Sequence, residues 1–269
     1  MKKNSYHISI AKPGQRQTNE DAACSTDNFI AVSDGAGGGG IYAELWSAYL
    51  LENLPAHPIR SFSELDGWIE RIWEAFYNNC EEKAKLAGGM VLSKFYNEGS
   101  FATLAAAWVK NDGCSWMTYG DSVVFHYNVE TDELEHSFTR LADFNNPPYL
   151  INSKDELNEE GFRSGEFGIG KHSIVFCATD ALSHYILMMY AITHKDKYAN
   201  ELSNAIKAAS RNSQLIQAAS YIQCDFYKDV ILKLIHCKNH SNNFLRHIDA
   251  LLRKKLIALD DYSYSIYIL

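Results

Sequence analysis

The sequence lacks the features that mark membrane proteins, secreted proteins and disulfide-rich proteins. Its longest apolar run, Phe101 to Val109, is too short to cross a bilayer. No apolar segment follows the positive charges of Met1 to Ser5, so no signal peptide is expected. The six cysteines form no C-x-x-C pair, and most of them lie within apolar patterns. We therefore expect reduced thiols, a cytoplasmic location and no membrane partner.

Clustered positive charge is also scarce. The formal net charge is -8, and the densest basic group, Arg253-Lys254-Lys255, falls late in a helical pattern. Nucleic acid is therefore not an expected partner, because its binding needs a larger basic patch.

The sequence also lacks three short motifs of known active sites. It has no H-E-x-x-H of a zinc site, no C-x5-R phosphatase loop and no lysine of a Walker A nucleotide-binding loop. His184 is expected on the surface of a helix.

What the sequence does contain is a short apolar run that ends in an acidic residue followed by glycines. Phe29 to Ser33 is typical of a buried strand, and Asp34 comes directly after it. A second such run ends at Asp180, and Asp260 precedes an alternating strand at 262–269. Because antiparallel neighbours place the end of one strand beside the start of the next, these aspartates can meet at one rim of a sheet. Carboxylates suit Mg²⁺ or Mn²⁺, so the pattern predicts a hard-cation site.

The rest of the chain predicts an α+β fold. Four strand-like runs between residues 101 and 138 predict an antiparallel meander. Helices come in pairs and strands come in runs, which favours layered sheets over alternating βαβ units. We predict one domain over residues 1–269, with a flap-like excursion at about 143–170. The predicted helices cover 41–54, 181–190, 200–222 and 244–257. A further predicted helix begins with the capping box Ser61-x-x-Glu64 and ends at Gly88-Gly89.

The glycines after Asp34 allow a second interpretation. Gly35 to Gly40 satisfies G-x-G-x-x-G between a strand and a helix, which is the pattern of a dinucleotide site. However, Asp34 would press its carboxylate toward the pyrophosphate, and no strand-end acid follows about 20 residues later. A dinucleotide site is therefore the weaker alternative.

Five short motifs occur in an order that is seen in one enzyme family. They are Arg16-x-x-Asn19-Glu20-Asp21, Ser33-Asp34-Gly35-x-Gly37-Gly38, Gly120-Asp121-Ser122, Thr179-Asp180-Ala181-Leu182 and Asp260-Asp261-x-Ser263. With these motifs the chain resembles the metal-dependent protein phosphatases (the PPM, or type 2C, family) in a bacterial-like form, over nearly its whole length. The resemblance implies a four-layer αββα sandwich of two antiparallel sheets flanked by helices, with metals at one rim.

The resemblance also implies which residues hold the metals. Asp34 would bridge two divalent ions, and the carbonyl of Gly35 would complete the coordination of one of them. Asp180 and Asp260 would bind the second ion. Asp121, together with Asp180, would hold a weaker third ion.

Other matching residues would support the metals and the substrate. Glu20 and Asp21 would hold metal-bound waters, and Arg16 would grip two phosphate oxygens through its guanidinium fork. Arg16 and Asp34 would be the catalytic residues. Two positions depart from the family pattern. Ala36 stands where many relatives carry a histidine that protonates the leaving oxygen, and Ala181 replaces the usual glycine.

The implied activity is Mn²⁺- or Mg²⁺-dependent hydrolysis of phosphoserine or phosphothreonine in proteins, by a hydroxide that bridges the two metals. The implied partners are a phosphorylated protein and a cognate serine/threonine kinase. One alternative is a catalytically weak, phosphatase-like protein that binds a phosphorylated partner, which the loss of the histidine at position 36 favours. Hydrolysis of a small phosphorylated metabolite is a third possibility.

Overall fold

The computed structural model describes residues 4–15, 17–110, 113–208, 210–238 and 240–269. In these ranges the β-strands are β1 (Ser5–Ile10), β2 (Ala22–Ser25), β3 (Phe29–Ser33), β4 (Phe101–Ala102), β5 (Leu104–Val109), β6 (Gly113–Tyr119), β7 (Val123–Asn128), β8 (Glu133–His136), β9 (Ile151–Asn152), β10 (Phe162–Gly168), β11 (Ser173–Ala178) and β12 (Tyr262–Ile268). The α-helices are α1 (Ala43–Glu52), α2 (Phe62–Ala87), α3 (Gly89–Glu98), α4 (Asp180–Thr193), α5 (Lys195–Lys207), α6 (Arg211–Ala219), α7 (Leu232–Cys237) and α8 (Ser241–Arg253). Two short 3₁₀ turns, Leu141–Asn145 and Glu159–Gly161, and a π-helical turn, Phe226–Ile231, join them.

Two five-stranded antiparallel sheets form the centre of the molecule. Sheet I has the order β1-β12-β11-β7-β8, and sheet II has the order β10-β6-β5-β3-β2. A small separate pairing joins β4 to β9. Helices α4–α8 pack on the outer face of sheet I, and helices α1–α3 pack on sheet II. The predicted α+β, four-layer αββα sandwich is therefore confirmed.

Strand β3 shows why its sequence is apolar on both faces. Ile30 and Val32 point between the two sheets, where they pack near Val175 of β11. The alternate residues Phe29 and Ala31 face the helices on sheet II. Because both faces of the strand are covered, its sequence is an unbroken apolar run.

The predicted meander is wrong at one point. Strands β5 and β6 pair in sheet II, whereas β7 and β8 pair in sheet I. The turn Gly120-Asp121-Ser122 therefore carries the chain from one sheet to the other. Short strands separated by turns look alike in sequence whether the next strand pairs with its neighbour or crosses to the facing sheet. This crossing is what brings Asp121 to the rim.

Other boundaries also differ from the sequence expectations. The end of the supposed excursion at 143–170 is a regular edge strand, because Phe162–Gly168 pairs with β6 along its whole length. The helix predicted at 200–222 is two helices, α5 and α6. Gly88, with a φ of 107°, ends α2 as expected. Helix α3, which begins directly after it, was not anticipated. The N-cap of α2 is confirmed, because Ser61 Oγ accepts a hydrogen bond from Glu64 N at 3.3 Å.

All six cysteines lie in the described part of the chain, and each is a free thiol. None of the described helices combines the length and hydropathy that a membrane span requires. The single-domain assignment over residues 1–269 stays a prediction.

His184 is buried, not on the helix surface as the sequence suggested. The residue is 3% exposed, its Nε2 has no hydrogen-bond partner, and Phe144 lies edge-on to its ring at 5.5 Å between ring centroids. Burial lowers the pKa of His184 from 6.5 to about 4. The folded state therefore holds this side chain neutral, because an imidazolium here would lose its hydration.

We expect His184 to make the protein less stable in acid. The unfolded chain protonates this histidine near pH 6.5 and the folded chain only near pH 4, so the free energy of unfolding falls as the pH drops between these values. The full loss is about 3 kcal/mol. Urea unfolding of wild type and His184→Gln at about pH 7 and about pH 4.5 measures it. The variant should lose less stability than wild type, and equal losses would contradict the assignment.

Candidate metal centre

Asp34 is held at one rim of the sandwich by its own backbone. Strand β3 ends at Ser33, and Asp34 O accepts a hydrogen bond from Thr103 N at 2.8 Å. Asp34 N donates to Thr103 Oγ1 at 3.3 Å, and that hydroxyl also contacts Ser122 Oγ at 2.6 Å. The turn that carries Asp121 is thereby tied to the end of β3.

Asp180 and Asp260 reach the same rim from sheet I. Asp180 is the first residue of α4, directly after β11 and Thr179, while Asp260 lies just before β12. Strands β11 and β12 are antiparallel neighbours, with Ala178 opposite Tyr264. The end of β11 therefore lies beside the start of β12, as the sequence pattern suggested.

The charges of the rim aspartates act on one another. Burial is the main cause that raises the pKa of Asp34 well above its usual value. The carboxylates whose charges raise it further are Asp21, Asp180, Asp121 and Asp260. Burial, followed by the charge of Asp260, raises the pKa of Asp180 to about 6. Burial, followed by the charge of Asp180, raises the pKa of Asp121 to about 8. The structure thus brings these acids together from segments far apart in sequence.

Glu20 and Asp21 lie next to this group but are already hydrogen-bonded. Asp21 is 8% exposed, and its Oδ2 accepts a hydrogen bond from Thr179 Oγ1 at 2.9 Å. Burial raises the pKa of Asp21 well above its usual value, and the bond from Thr179 opposes this. Glu20 Oε2 accepts from Gly37 N at 3.1 Å, and Glu20 O accepts from Gly35 N at 3.2 Å. Glu20 therefore holds the glycine loop that follows Asp34.

Comparison with solved structures identifies the architecture. Stp1, a serine/threonine phosphatase from Staphylococcus aureus, is 12% identical with a TM-score of 0.55, and the match covers 98% of this chain and 94% of that one. The serine/threonine phosphatase PstP/Ppp from Mycobacterium tuberculosis is 15% identical with a TM-score of 0.56, over 98% and 97% of the two chains. The chain has the fold of the bacterial PPM-type phosphatases. No protein-family profile matches the sequence, and a search of curated proteins finds no significant match.

One PPM-fold structure contains metal. The catalytic domain of a serine/threonine protein phosphatase PstP in complex with 2 manganese ions is 14% identical to this chain, with a TM-score of 0.54. The match covers 97% of this chain and 96% of that one. At this identity the likeness shows the shared fold and assigns no residue of this chain to a metal.

The chemistry of the acidic rim fits a hard divalent cation, but its present side-chain arrangement does not form a cage. Closely spaced, partly buried carboxylates repel one another, and divalent cations relieve that repulsion. Among the residues that the structure describes, no group of three or more His, Cys, Asp or Glu side chains is arranged to hold a metal ion. The carboxylates are bonded to protein donors instead: Asp21 to Thr179, Asp180 to Ala181 N, and Asp260 to Lys12. Ligation would require them to reorient.

The predicted residue roles therefore stay predictions. The structure brings Asp34, Asp121, Asp180 and Asp260 together at one rim of the PPM fold, with Asp21 beside them. Arg16, the predicted phosphate-binding residue, lies outside the described residues. Ala36 N, two residues after Asp34, donates a hydrogen bond to Phe101 O at 3.0 Å.

The contacts of two further residues of the rim, Lys12 and Asp261, were not anticipated from the sequence. Lys12 Nζ lies 2.9 Å from Asp260 Oδ1. Asp261 accepts hydrogen bonds from two backbone amides, Lys12 N at 2.7 Å and Glu20 N at 2.9 Å. The carboxylate of Asp261 thus holds the backbone of Lys12 and of Glu20. Nothing local in the sequence indicates these contacts, because the partners are separated by most of the chain.

A second polar cluster lies at the opposite end of β11. Ser173 Oγ is 2.8 Å from His126 Nε2, and His126 Nδ1 is 2.7 Å from Glu135 Oε2. This order of groups is that of a serine hydrolase relay. However, Ser173 is 1% exposed and its Oγ also accepts a hydrogen bond from Gly170 N at 3.0 Å. The cluster therefore anchors the start of β11, and its serine is closed to substrate.

Proposed function

We propose that this protein is a metal-dependent protein serine/threonine phosphatase, a phosphoric monoester hydrolase. The observation that carries the proposal is the meeting of Asp34, Asp121, Asp180 and Asp260 at one rim of a PPM fold, where burial and the charges of neighbouring aspartates raise the pKa of Asp34, Asp121 and Asp180. Such a cluster destabilises a fold unless cations occupy it. Clusters of perturbed acids are typical of functional sites.

In this proposal the rim residues hold two divalent ions, Mn²⁺ or Mg²⁺, and a weaker third. Asp34 and the carbonyl of Gly35 would hold the first ion, and Asp34 would also contribute to the second. Asp180 and Asp260 would hold the second ion, and Asp121 together with Asp180 would hold the third. When bound, the ions supply Lewis-acid stabilisation and an activated water for attack on phosphorus.

The remaining residues orient these ligands and the substrate. Thr179 holds the carboxylate of Asp21, which with Glu20 would bind water at the rim. Arg16 would bind the phosphoryl group. Ala36 supplies no proton to a leaving group. We therefore propose that the missing proton donor slows the hydrolysis of esters with good leaving groups less than that of esters with poor leaving groups.

The test is metal-dependent phosphate release. The metal-free protein is assayed with Mn²⁺, Mg²⁺ or EDTA on p-nitrophenyl phosphate, on phosphoserine and phosphothreonine peptides, and on small phosphorylated metabolites. We expect hydrolysis of the aryl ester and the peptides with Mn²⁺ or Mg²⁺, and none with EDTA. Hydrolysis confined to the metabolites would show that the substrates are small phosphorylated molecules and not phosphoproteins. Hydrolysis that persists in EDTA would exclude the proposed chemistry.

A second candidate function follows from the present side-chain arrangement. The described carboxylates form no metal cage, and position 36 carries no acid. These two features favour a catalytically weak, phosphatase-like protein that binds a phosphorylated partner. Phosphopeptide binding without phosphate release, in the presence of Mn²⁺, would support this function over the first.

The proposed partners are a phosphorylated protein and a cognate serine/threonine kinase. The six free cysteines are consistent with the proposed cytoplasmic location, since reducing compartments keep thiols unpaired. Which protein is dephosphorylated will be answered by phosphoproteomic comparison of cells with and without the gene.

A further inference from the structure

Lys12 places a positive charge directly on one of the rim acids. Its Nζ lies 2.9 Å from Asp260 Oδ1, within ion-pair distance. The side chains of Lys12 and Asp260 are 25% and 40% exposed, so the pair is partly shielded from water. An ion pair in such surroundings is stronger than one on an open surface.

The backbone of Lys12 is also fixed, so the contact is built into the fold. Lys12 N donates to Asp261 Oδ1 at 2.7 Å, and Asp261 follows Asp260 directly. The same carboxylate accepts from Glu20 N at 2.9 Å. Asp261 therefore holds the backbone of Lys12 at the start of β12, which keeps the ammonium within reach of Asp260.

The electrostatic surroundings of Lys12 are those of a counterion. Burial by itself lowers the pKa of Lys12, but the hydrogen bond to Asp260 and the charges of Asp260, Asp261 and Glu20 outweigh it, so the net pKa is raised. The charge of Lys12 in turn lowers the pKa of Asp180. The ammonium thus neutralises part of the negative charge that a divalent ion would otherwise neutralise.

We propose that Lys12 is an internal competitor of the metal at Asp260 and thereby sets the metal affinity of the rim. The inference rests on the proposed function. Asp260 Oδ1 is occupied by the ammonium and by Asp261 N at 3.0 Å, so a metal at this oxygen requires the ion pair to break. A lysine that remains nearby repels a divalent ion. Metal binding and the Lys12–Asp260 pair therefore oppose each other.

The expected result is tighter metal binding when the lysine is removed. Lys12→Met keeps much of the apolar stem and removes the charge, and should tighten Mn²⁺ binding by about tenfold or more. Lys12→Arg keeps the charge and should leave the affinity near that of wild type. In EDTA, Lys12→Met should melt at a lower temperature than wild type, because the acids lose their counterion.

The experiment is calorimetric titration of Mn²⁺ into metal-free wild type, Lys12→Met, Lys12→Arg and Lys228→Met. Lys228 is the matched control, since it forms an ion pair with Asp225 at 2.6 Å on an exposed surface. Tighter binding in Lys12→Met alone supports the inference, including the case in which wild type shows no binding. If wild type binds Mn²⁺ and Lys12→Met binds equally or more weakly, the inference is overturned and the proposed function stands. If neither protein binds Mn²⁺, both are overturned.

Discussion

Asp34→Asn is expected to abolish metal-dependent phosphatase activity and to stabilise the metal-free protein. Asp34 lies among four other aspartates whose charges raise its pKa, with burial as the larger cause. The amide would offer the proposed cations no negative charge, so kcat should fall by at least about 100-fold. The amide also carries no charge, so the free energy that burial and charge repulsion cost the folded protein at Asp34 disappears.

The sign of the stability change follows from the pKa. When folding raises the pKa of a carboxyl group, the free energy of unfolding falls as the pH rises above the group's usual pKa, which is 3.8 for Asp34. This cost grows as the pH rises from 3.8 toward the raised pKa of Asp34, and it is absent in the variant. The melting temperature in EDTA should therefore rise, by roughly 2–4 °C for each kcal/mol of repulsion removed. With Mn²⁺ the order should reverse, because only wild type gains binding energy.

The measurements are phosphate release and thermal unfolding, each with Mn²⁺ and with EDTA. Asp27→Asn is the matched control, because Asp27 is exposed in the turn before β3 and should change neither quantity. Full metal-dependent activity in Asp34→Asn would falsify the assignment of Asp34 as a metal ligand. A lower melting temperature of this variant in EDTA would show that Asp34 acts as a structural hydrogen-bonding group.

Gly35→Ala is expected to lose both stability and metal binding. A Cβ at this position would lie 2.5 Å from Glu20 O and 2.8 Å from Ala43 O. Both are backbone atoms, so neither can move aside as a flexible side chain would. The displacement would break the hydrogen bond from Gly35 N to Glu20 O and shift Asp34. We expect a loss of about 1–3 kcal/mol in the free energy of unfolding.

Gly38→Ala provides the matched control for this prediction. Gly38 lies in the same loop and is exposed, and no atom lies within 4 Å of the place that its Cβ would take, so an added methyl group meets open space. Urea unfolding and Mn²⁺ titration of the two variants give the comparison. Equal stability of Gly35→Ala and Gly38→Ala would show that the loop can relax and that close packing at Gly35 is not required.

Local patterns predicted the parts of the fold that depend on neighbouring residues. The apolar run of β3, the cap at Ser61 and the break at Gly88 are each set by periodicity or backbone preference over a few residues. The change of sheet at Asp121 was missed because turn residues do not indicate which strand comes to lie beside the next. The split between α5 and α6 was missed because helical periodicity continues on both sides of it.

The sequence by itself determined which residues stand at the ends of strands, and hence that Asp34, Asp180 and Asp260 were candidates for one site. Only the tertiary structure decided what these carboxylates contact. Asp261 accepts hydrogen bonds from Lys12 N and Glu20 N, partners separated from it by 249 and 241 positions. Strand periodicity is local and visible in a sequence, whereas the choice of a charged partner depends on how distant segments pack together. The pairing of Lys12 with Asp260 is therefore a property of the folded protein alone.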